Sequence, residues 1–270
     1  MMGRGSAGPD LTIRYGEHED QIADLSFPVG AVGAVALVLL LHGGFWRAAY
    51  DRLHVGVVAD DLADRGYAVA NVEYRRVGAG GGWPVTLTDV AQAADVLPGL
   101  VERERPGLID PGRVVYLGHS AGGHLALWAA LRDRLPEGAP GRVPSPPRVA
   151  GVVALGAAVN LAEADRLGSG NGAVAAFLGG GPAEVPERFA AADPSALGRP
   201  GFPTVLVHGE LDEVLPVEMS RAYHAAFGGG LTVPEGADHF DVIDPRSTAW
   251  PAVLAALRQA GGSQDAEGVG

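Results

Sequence analysis

The residues best suited to chemistry lie in the stretch GHSAGG, which begins at Gly118. It contains the pattern G-x-S-x-G, with Ser120 between Gly118 and Gly122. In a chain with 41 Gly the pattern alone is a weak signal, but its context strengthens it. The apolar run RVVYL precedes it and the helical pattern AGGHLALWAALR follows. A serine on a sharp strand-to-helix turn between small residues is typical of a nucleophile, and the helix N-terminus favours a developing anion.

Two other interpretations of this turn are open. The first is a glycine-rich packing turn whose serine only caps the helix, and we rank it behind the nucleophile. The second is a phosphate-binding loop, which the sequence disfavours because the turn lacks the P-loop lysine and does not fit G-x-G-x-x-G. His119 and His124 flank Ser120 too closely to be an obvious base, and we expect them to support the turn.

A serine nucleophile needs a base to remove its proton and a carboxylate to orient that base. Among eight histidines, His239 in GADHFDVIDP follows the last predicted strand and precedes the last predicted helix. The base belongs there in the chain order Ser, Asp, His. The alternative is a loop histidine paired with Asp238 or Asp241. We expect His42 to brace its own loop and His208, at a strand end, to be structural.

The best candidate for the orienting acid is Asp212 in VLVHGELDEVLP. A buried strand ends at the glycine of this stretch, and Asp212 follows three residues later. Its place just beyond a strand completes the order Ser120, Asp212, His239, with each member after a predicted strand. Four acids nearby in the sequence compete for the role: Glu210, Glu213, Asp238 and Asp241.

The stretch LHGGFWR follows an earlier apolar strand, where such enzymes place the second donor of an oxyanion hole. The Ala121 N–H would supply one donor, and Gly43, Gly44 or Phe45 the other. The bulky Phe45 and Trp46 could wall the acyl side of a substrate site and offer an apolar surface to an aryl ring. The alternative is that one or both point into the core.

The elements that must position these residues alternate between strands and helices. Ala23, Leu25 and Phe27 alternate with polar residues, which predicts a half-buried antiparallel strand near a sheet edge. Further strands are predicted over 35–41, 67–74, 112–120, 148–158 and 202–209, and more weakly over 231–236. Helices are predicted over 54–65, 86–104, 121–132, 217–227 and 248–259. This order predicts an α/β fold with a mostly parallel central sheet and helices on both faces.

The chain is predicted to form one domain over residues 15–260. Residues 1–14 are expected to be a flexible extension and residues 261–270 a disordered tail. Within the domain, residues 159–200 contain short helical fragments broken by Gly and Pro. This segment could form a cap over the site, and the alternative is a long connection.

Composition limits the classes of function. The net charge of −12 without a basic patch disfavours nucleic acid as a partner. The absence of cysteine excludes thiol nucleophiles and cysteine-based zinc sites. The longest apolar run, 29–41, is shorter than the roughly 20 residues that span a bilayer, and the N-terminus lacks the apolar core of a signal peptide. We expect a cytoplasmic protein with a small-molecule substrate and no metal, cofactor or membrane partner, and we consider a homodimer as its assembly.

Four stretches together resemble the α/β-hydrolases, and within them the kynurenine formamidase (arylformamidase)-like proteins and related small esterases: HGGFW, GHSAGGHLA, HGELDEVLP and DHFDVI. The resemblance runs from about Tyr15 to about Leu257. It implies an α/β-hydrolase fold and a serine hydrolase without metal or organic cofactor, acting on N-formyl aryl amides or small esters. The matching positions imply Ser120, Asp212 and His239 as the triad. The stretch EYRRVGAGGGWP, residues 73–84, resembles a feature of bacterial relatives.

Two further functions compete with this interpretation. One is a prolyl-oligopeptidase-like peptidase activity, which would use the same residues on a different acyl group. The other is a catalytically silent ligand-binding protein on the same fold, because fold does not determine function. All three triad candidates are present, which disfavours the silent protein.

Overall fold

A mixed eight-stranded sheet forms the centre of the protein, and the computed structural model describes residues 8–262 of the chain. Its strands are β1 (Leu11–Arg14), β2 (Ile22–Ser26), β3 (Val35–Leu41), β4 (Ala68–Val72), β5 (Ile109–His119), β6 (Gly151–Leu155), β7 (Thr204–Val207) and β8 (Gly230–Thr232). Their order across the sheet is β1-β2-β4-β3-β5-β6-β7-β8. β1 and β2 pair antiparallel, and β2 pairs antiparallel with β4. All other neighbours are parallel, so their carboxyl ends meet at one edge.

Eight α-helices surround the sheet in the described part of the chain. They are α1 (Gly56–Asp64), α2 (Val85–Glu104), α3 (Ala121–Ala130), α4 (Leu161–Arg166), α5 (Ala173–Leu178), α6 (Pro186–Ala192), α7 (Val217–Phe227) and α8 (Trp250–Leu257). The predicted helices 86–104 and 217–227 match α2 and α7 closely, and α2 continues through Pro98. The predicted helix 54–65 begins instead as a short 3-10 turn, Arg52–Val55, before α1.

The parallel strands are buried on both faces, and each face has its own core. In β3, Leu37 and Leu39 pack on one side, while Val38 and Leu40 pack on the other. Helices α2, α3 and α7 contribute to the first core, and α1 and α8 to the second. Continuous apolar runs are what strands covered on both faces require. The predicted α/β architecture is therefore confirmed.

The N-terminal segment differs from the sequence prediction. Residues 1–14 were predicted to be a flexible extension, but Leu11–Arg14 form β1 on the edge of the sheet. The strand forms because its backbone pairs with β2 and its Ile13 side chain is buried. The Asp10 carboxylate also accepts a hydrogen bond from the Phe27 N–H, at 2.7 Å. Residues 1–7 lie outside the described part of the chain.

Strand β2 is also more deeply buried than the alternation predicts. Its polar face, Asp24 and Ser26, is covered like its apolar face. The reason is an ion pair, because Arg52 donates from Nε to the Asp24 carboxylate at 2.7 Å. Thr12 of β1 donates to the same carboxylate. A polar residue in an alternating strand can face a buried charge instead of water, which periodicity does not show.

Residues 159–200 contain the short helices α4, α5 and α6, in agreement with the predicted helical fragments. We call this stretch the cap-like segment. At the other end of the chain, Ala260 is buried and Arg258–Gly262 form a turn after α8, with Gly261 at φ 89°. The first two residues of the predicted tail, Gly261 and Gly262, thus belong to this turn, and residues 263–270 lie outside the described part. None of the helices within residues 8–262 is long and apolar enough to cross a membrane.

Candidate active site

Ser120 lies on the turn between the end of β5 and the start of α3. Its backbone has φ 54° and ψ −117°, a strained conformation that costs a residue other than glycine on the order of 1–3 kcal/mol. The turn is held by the Ser120 N–H, which donates to the Leu155 carbonyl of β6 at 2.8 Å. The strand-turn-helix context predicted for Ser120 is therefore present.

The glycines beside Ser120 are required by close packing. A Cβ at Gly118 would lie 2.1 Å from the carbonyl oxygen of Gly122, and one at Gly122 would lie 2.0 Å from the carbonyl oxygen of Leu41. Backbone on both sides leaves no room for a side chain. The G-x-S-x-G pattern thus lets the turn close on itself and on β3.

The structure brings Asp212 and His239 together. His239 Nδ1 lies 2.6 Å from Asp212 Oδ2. Because the carboxylate accepts, Nδ1 carries the proton and Nε2 has the free lone pair that a base needs. Three of the four competing acids are engaged elsewhere: Asp238 accepts from the Phe240 and Asp241 N–H groups, Asp241 from the Asp238 N–H and Glu210 from the Gly236 N–H.

Asp212 is held by more than its histidine partner. Its Oδ1 accepts from the Val214 and Leu215 N–H groups at 2.9 and 2.8 Å. Burial alone would raise the pKa of Asp212, but the hydrogen bonds from His208, His239 and the backbone hold that pKa well below its ordinary value. The carboxylate is therefore charged and fixed in orientation.

His208 is a supporting residue whose role the sequence did not show beyond its strand-end position. Its Nε2 lies 2.8 Å from the Leu215 carbonyl and 3.1 Å from Asp212 Oδ2. Its Nδ1 lies 2.7 Å from the Ser220 hydroxyl. It therefore clamps the loop that carries Asp212. The one available sequence signal was its position four residues before the acid.

The three candidates converge at the carboxyl end of β6. Ser120 is hydrogen-bonded to Leu155, and the next residue, Gly156, touches the other two: a Cβ there would lie 3.2 Å from His239 Nδ1 and 3.3 Å from Asp212 Oδ2. The residue before the nucleophile links the loops, since His119 Nε2 lies 2.9 Å from the His239 carbonyl oxygen. Burial lowers the pKa of His119 to about 3, so His119 is neutral and donates from Nε2.

The loop after β3 packs closely against the nucleophile. A Cβ at Gly43 would lie 3.1 Å from the Ser120 Cβ and 2.9 Å from the His119 ring. Gly44 has φ 108°, and Phe45 and Trp46 have φ 58° and 56°. Two successive aromatic residues in the left-handed region are strained. Such strain is concentrated at functional sites.

The N–H groups available to an oxyanion lie in this loop and at the start of α3. Within the described residues, no acceptor is hydrogen-bonded to the N–H of Gly43, Gly44 or Phe45. Ala121 is the first residue of α3, where N–H groups have no partner inside the helix. The Gly43 carbonyl points at the His42 ring. The Gly44 N–H lies on the same trans peptide and points the opposite way.

The two aromatic residues of the loop differ in environment. Trp46 is buried, donates from Nε1 to His124 Nδ1 at 3.2 Å and stacks on Phe177 at 4.8 Å. It is chiefly a core residue, the alternative noted from the sequence, although its edge lines the cavity at Ser120. Phe45 is half-buried and lines the same cavity.

This cavity is small. The space open to the centre of a water-sized sphere is about 10 Å³, which is room for about one water molecule. Ser120 and Ala121 line it. Its wall also includes small or aliphatic side chains, mostly from the cap-like segment: Ala164, Ala173, Val174 and Leu215.

Comparison with known families identifies the family of this chain. The sequence model of the BD-FAE family matches residues 23–227, well over half of the chain. The chain belongs to the BD-FAE family. This family has the α/β-hydrolase fold, so the resemblance predicted from HGGFW and GHSAGGHLA is confirmed.

Curated relatives of this BD-FAE chain are hydrolases. Kynurenine formamidase of Salmo salar is 32% identical over 136 residues, which cover 48% of this chain and 41% of the relative. A probable isoprenylcysteine alpha-carbonyl methylesterase of Oryza sativa subsp. japonica is 28% identical over 127 residues, covering 47% and 29%. The matched region therefore covers less than half of the length of either relative.

Solved structures share the fold over almost the whole chain. A truncated carbohydrate esterase from gut microbiota has a TM-score of 0.77 at 20% identity, covering 96% of this chain and 100% of that one. Native esterase Est2 of Thermogutta terrifontis has a TM-score of 0.73 at 20% identity, covering 98% and 97%. The same esterase phosphoramylated by tabun has a TM-score of 0.68 at 20% identity, covering 95% and 94%.

Proposed function

We propose that this BD-FAE protein is a serine hydrolase that cleaves small carboxylic esters or N-formyl aryl amides through an acyl-enzyme on Ser120. The observation that carries the proposal is the His239–Asp212 hydrogen bond of 2.6 Å beside a serine on a strained strand-to-helix turn. The names of the relatives, a formamidase and a methylesterase, support the class of reaction. A buried, fixed carboxylate is what the base needs in order to remain in one tautomer.

In the proposed reaction these groups act in turn. His239 Nε2 takes the hydroxyl proton while Ser120 Oγ forms a bond to the substrate carbonyl carbon, which gives a tetrahedral oxyanion. The N–H groups of Ala121 and Gly44 donate to that oxygen. The bond to the leaving group then breaks, and this group departs with the proton from His239. Water, deprotonated by His239, attacks the acyl-enzyme, and collapse releases the acid and restores Ser120.

The small cavity supports a small acyl group. A space for about one water molecule at Ser120, about 10 Å³, favours the smallest acyl groups over a long chain. Phe45 walls this space, in line with the steric hypothesis from the sequence, whereas Trp46 contributes mainly by packing. Cleavage of N-formylkynurenine well above the rates for acetate esters would narrow the activity to that of a formamidase.

The test is covalent labelling by an alkyl fluorophosphonate, a phosphorus electrophile of the same broad class as the tabun that phosphoramylated the Thermogutta terrifontis esterase. We expect one phosphonyl group per chain, located on Ser120 by peptide mass spectrometry. Ser120→Ala should abolish labelling and lower kcat by on the order of 10⁴-fold or more, because triad members act as a unit. Ser169→Ala, at another serine that lines the cavity, is the matched control. Labelling at Ser169, or near-native turnover without Ser120, would overturn the proposal.

A further inference from the structure

A group of buried charges lies directly behind the loop that carries the oxyanion donors. His42 and Glu73 are each about 1% exposed. His42 Nε2 lies 2.9 Å from Glu73 Oε1, and His42 Nδ1 lies 2.7 Å from the Gly43 carbonyl oxygen. A carbonyl oxygen can only accept a hydrogen bond. The proton between His42 and Gly43 therefore lies on Nδ1.

Glu73 also has no proton to give. Its Oε1 accepts from the Tyr74 N–H at 3.0 Å, and its Oε2 accepts from the Arg52 N–H at 3.1 Å. Arg76 Nε lies 3.3 Å from Oε1. Burial alone would raise the pKa of Glu73, but the hydrogen bond from His42 and the nearby Arg76 lower it below the ordinary value. Glu73 accepts from both backbone N–H groups, so the proton between His42 and Glu73 lies on Nε2.

The local balance of charge agrees with the same state, although Asp20, one of the three acids involved, is partly exposed. The two arginines near Glu73 each have another carboxylate, since Arg52 pairs with Asp24 at 2.7 Å and Arg76 with Asp20 at 3.1 Å. Three acids thus face two arginines. A buried carboxylate without a matching cation is strongly unfavourable. A protonated His42 is the third cation.

We infer that His42 is a buried imidazolium, paired with Glu73, and that this cation is a positioning residue of the oxyanion loop. Both ring N–H groups are used: one holds Glu73, and the other holds the Gly43 carbonyl and so orients the Gly44 N–H. A fixed positive charge behind that peptide strengthens its N–H as a donor to a developing anion, because the site is buried. The catalytic part of this inference rests on the proposed function, and the charge itself does not.

The rings around His42 agree with a cation. Tyr74 stacks on it with centroids 4.4 Å apart and planes 6° apart, a geometry in which an aromatic face attracts positive charge. The phenol hydroxyl of Tyr74 also donates to the His42 carbonyl at 2.7 Å. The His54 ring meets His42 edge-on at 5.7 Å. The pKa of His54 is lowered, first by burial and then by His42, so a second positive charge is avoided.

The charge is tested without any activity measurement. The protein is labelled with ¹⁵N-histidine, and the ring nitrogens are recorded at about pH 7, where an unperturbed histidine is mostly neutral. We expect the His42 ring to carry protons on both nitrogens, with signals that disappear in His42→Asn. A His42 ring with one unprotonated nitrogen would overturn the inference. If the imidazolium signals are present but the fluorophosphonate does not label Ser120, the proposed function is wrong and the inference about the charge of His42 still holds.

The positioning role is tested by Glu73→Gln. We expect kcat to fall by on the order of 10-fold or more with KM changed by less than about 2-fold, because only the transition state carries the oxyanion. Binding of a trifluoromethyl ketone, whose adduct bears that anion, should weaken by the same factor.

The matched control is Asp89→Asn, which changes a buried carboxylate that binds Arg75 and a backbone N–H. Its kcat and ketone affinity should remain near those of the wild type. Equal losses in both variants, in step with their loss of thermal stability, would show that Glu73 is only structural.

Discussion

At the scale of single residues, Asp212 is the acid whose role is most sharply testable. Its carboxylate accepts from His239, His208 and two backbone N–H groups. Asp212→Asn should lower kcat by about 10⁴-fold, because an amide N–H facing Nδ1 forces His239 into the wrong tautomer. Steady-state kinetics on p-nitrophenyl acetate measures the effect.

Asp241→Asn is the control for that substitution. Asp241 lies two residues from His239 but receives the Asp238 N–H instead of the imidazole. It should retain most of the activity. If Asp241→Asn were the crippling change and Asp212→Asn were mild, the assignment of the acid would be wrong.

At the scale of elements, the cap-like segment should set the length of the acyl chain. Helix α5 contributes Ala173 and Val174 to the wall of the cavity at Ser120. We expect kcat/KM to fall along p-nitrophenyl esters from acetate to octanoate. Val174→Ala should raise the butyrate-to-acetate ratio by about 10-fold, the scale of one methylene in an apolar pocket.

Val185→Ala is the matched substitution, since Val185 is a buried valine of the cap-like segment outside this wall. It should destabilise the protein to a similar degree and leave the acyl preference unchanged. A wild-type rate that rises toward octanoate would reject the small-acyl hypothesis and favour a lipid-type esterase.

At the scale of the whole molecule, two buried histidines should make stability depend on pH. Burial lowers the pKa of His119 to about 3 and that of His124 to about 4, against 6.5 when exposed. Between about pH 4 and 6.5, the unfolded chain therefore binds up to two more protons at these positions than the folded chain does. This stability is fully present above about pH 6.5 and is lost as the pH falls toward 4 and 3.

The quantity to measure is the slope of the free energy of unfolding against pH. From about pH 6 to 5, His119 and His124 together should lower the free energy of unfolding by up to roughly 3 kcal/mol per pH unit, about 1.4 kcal/mol for each proton. Urea unfolding across this range measures it. His124→Gln should reduce the slope by about 1.4 kcal/mol per pH unit whatever its effect on stability itself, and an unchanged slope would contradict the assignment.

Patterns that are local in the chain were readable without a structure. The apolar runs predicted β3 over its exact bounds, because a strand covered on both faces needs apolar residues throughout. The turn at Ser120 was predicted because small neighbours, a preceding strand and a following helix are all local requirements. The order Ser120, Asp212, His239 was readable because the strand ends of a parallel sheet meet at one edge.

The sequence by itself thus determined the fold class and the residues that the sheet edge brings together. Only the tertiary structure decided which polar groups meet across the chain. The bonds of His42 to Glu73, of His119 to the His239 carbonyl, and of Arg52 to Asp24 join different loops and strands. Likewise, Trp46 packs against His124 and Phe177, from α3 and α5. Periodicity reports whether a side chain is covered, and a charge is compensated by whichever partner the folded backbone places within hydrogen-bonding distance.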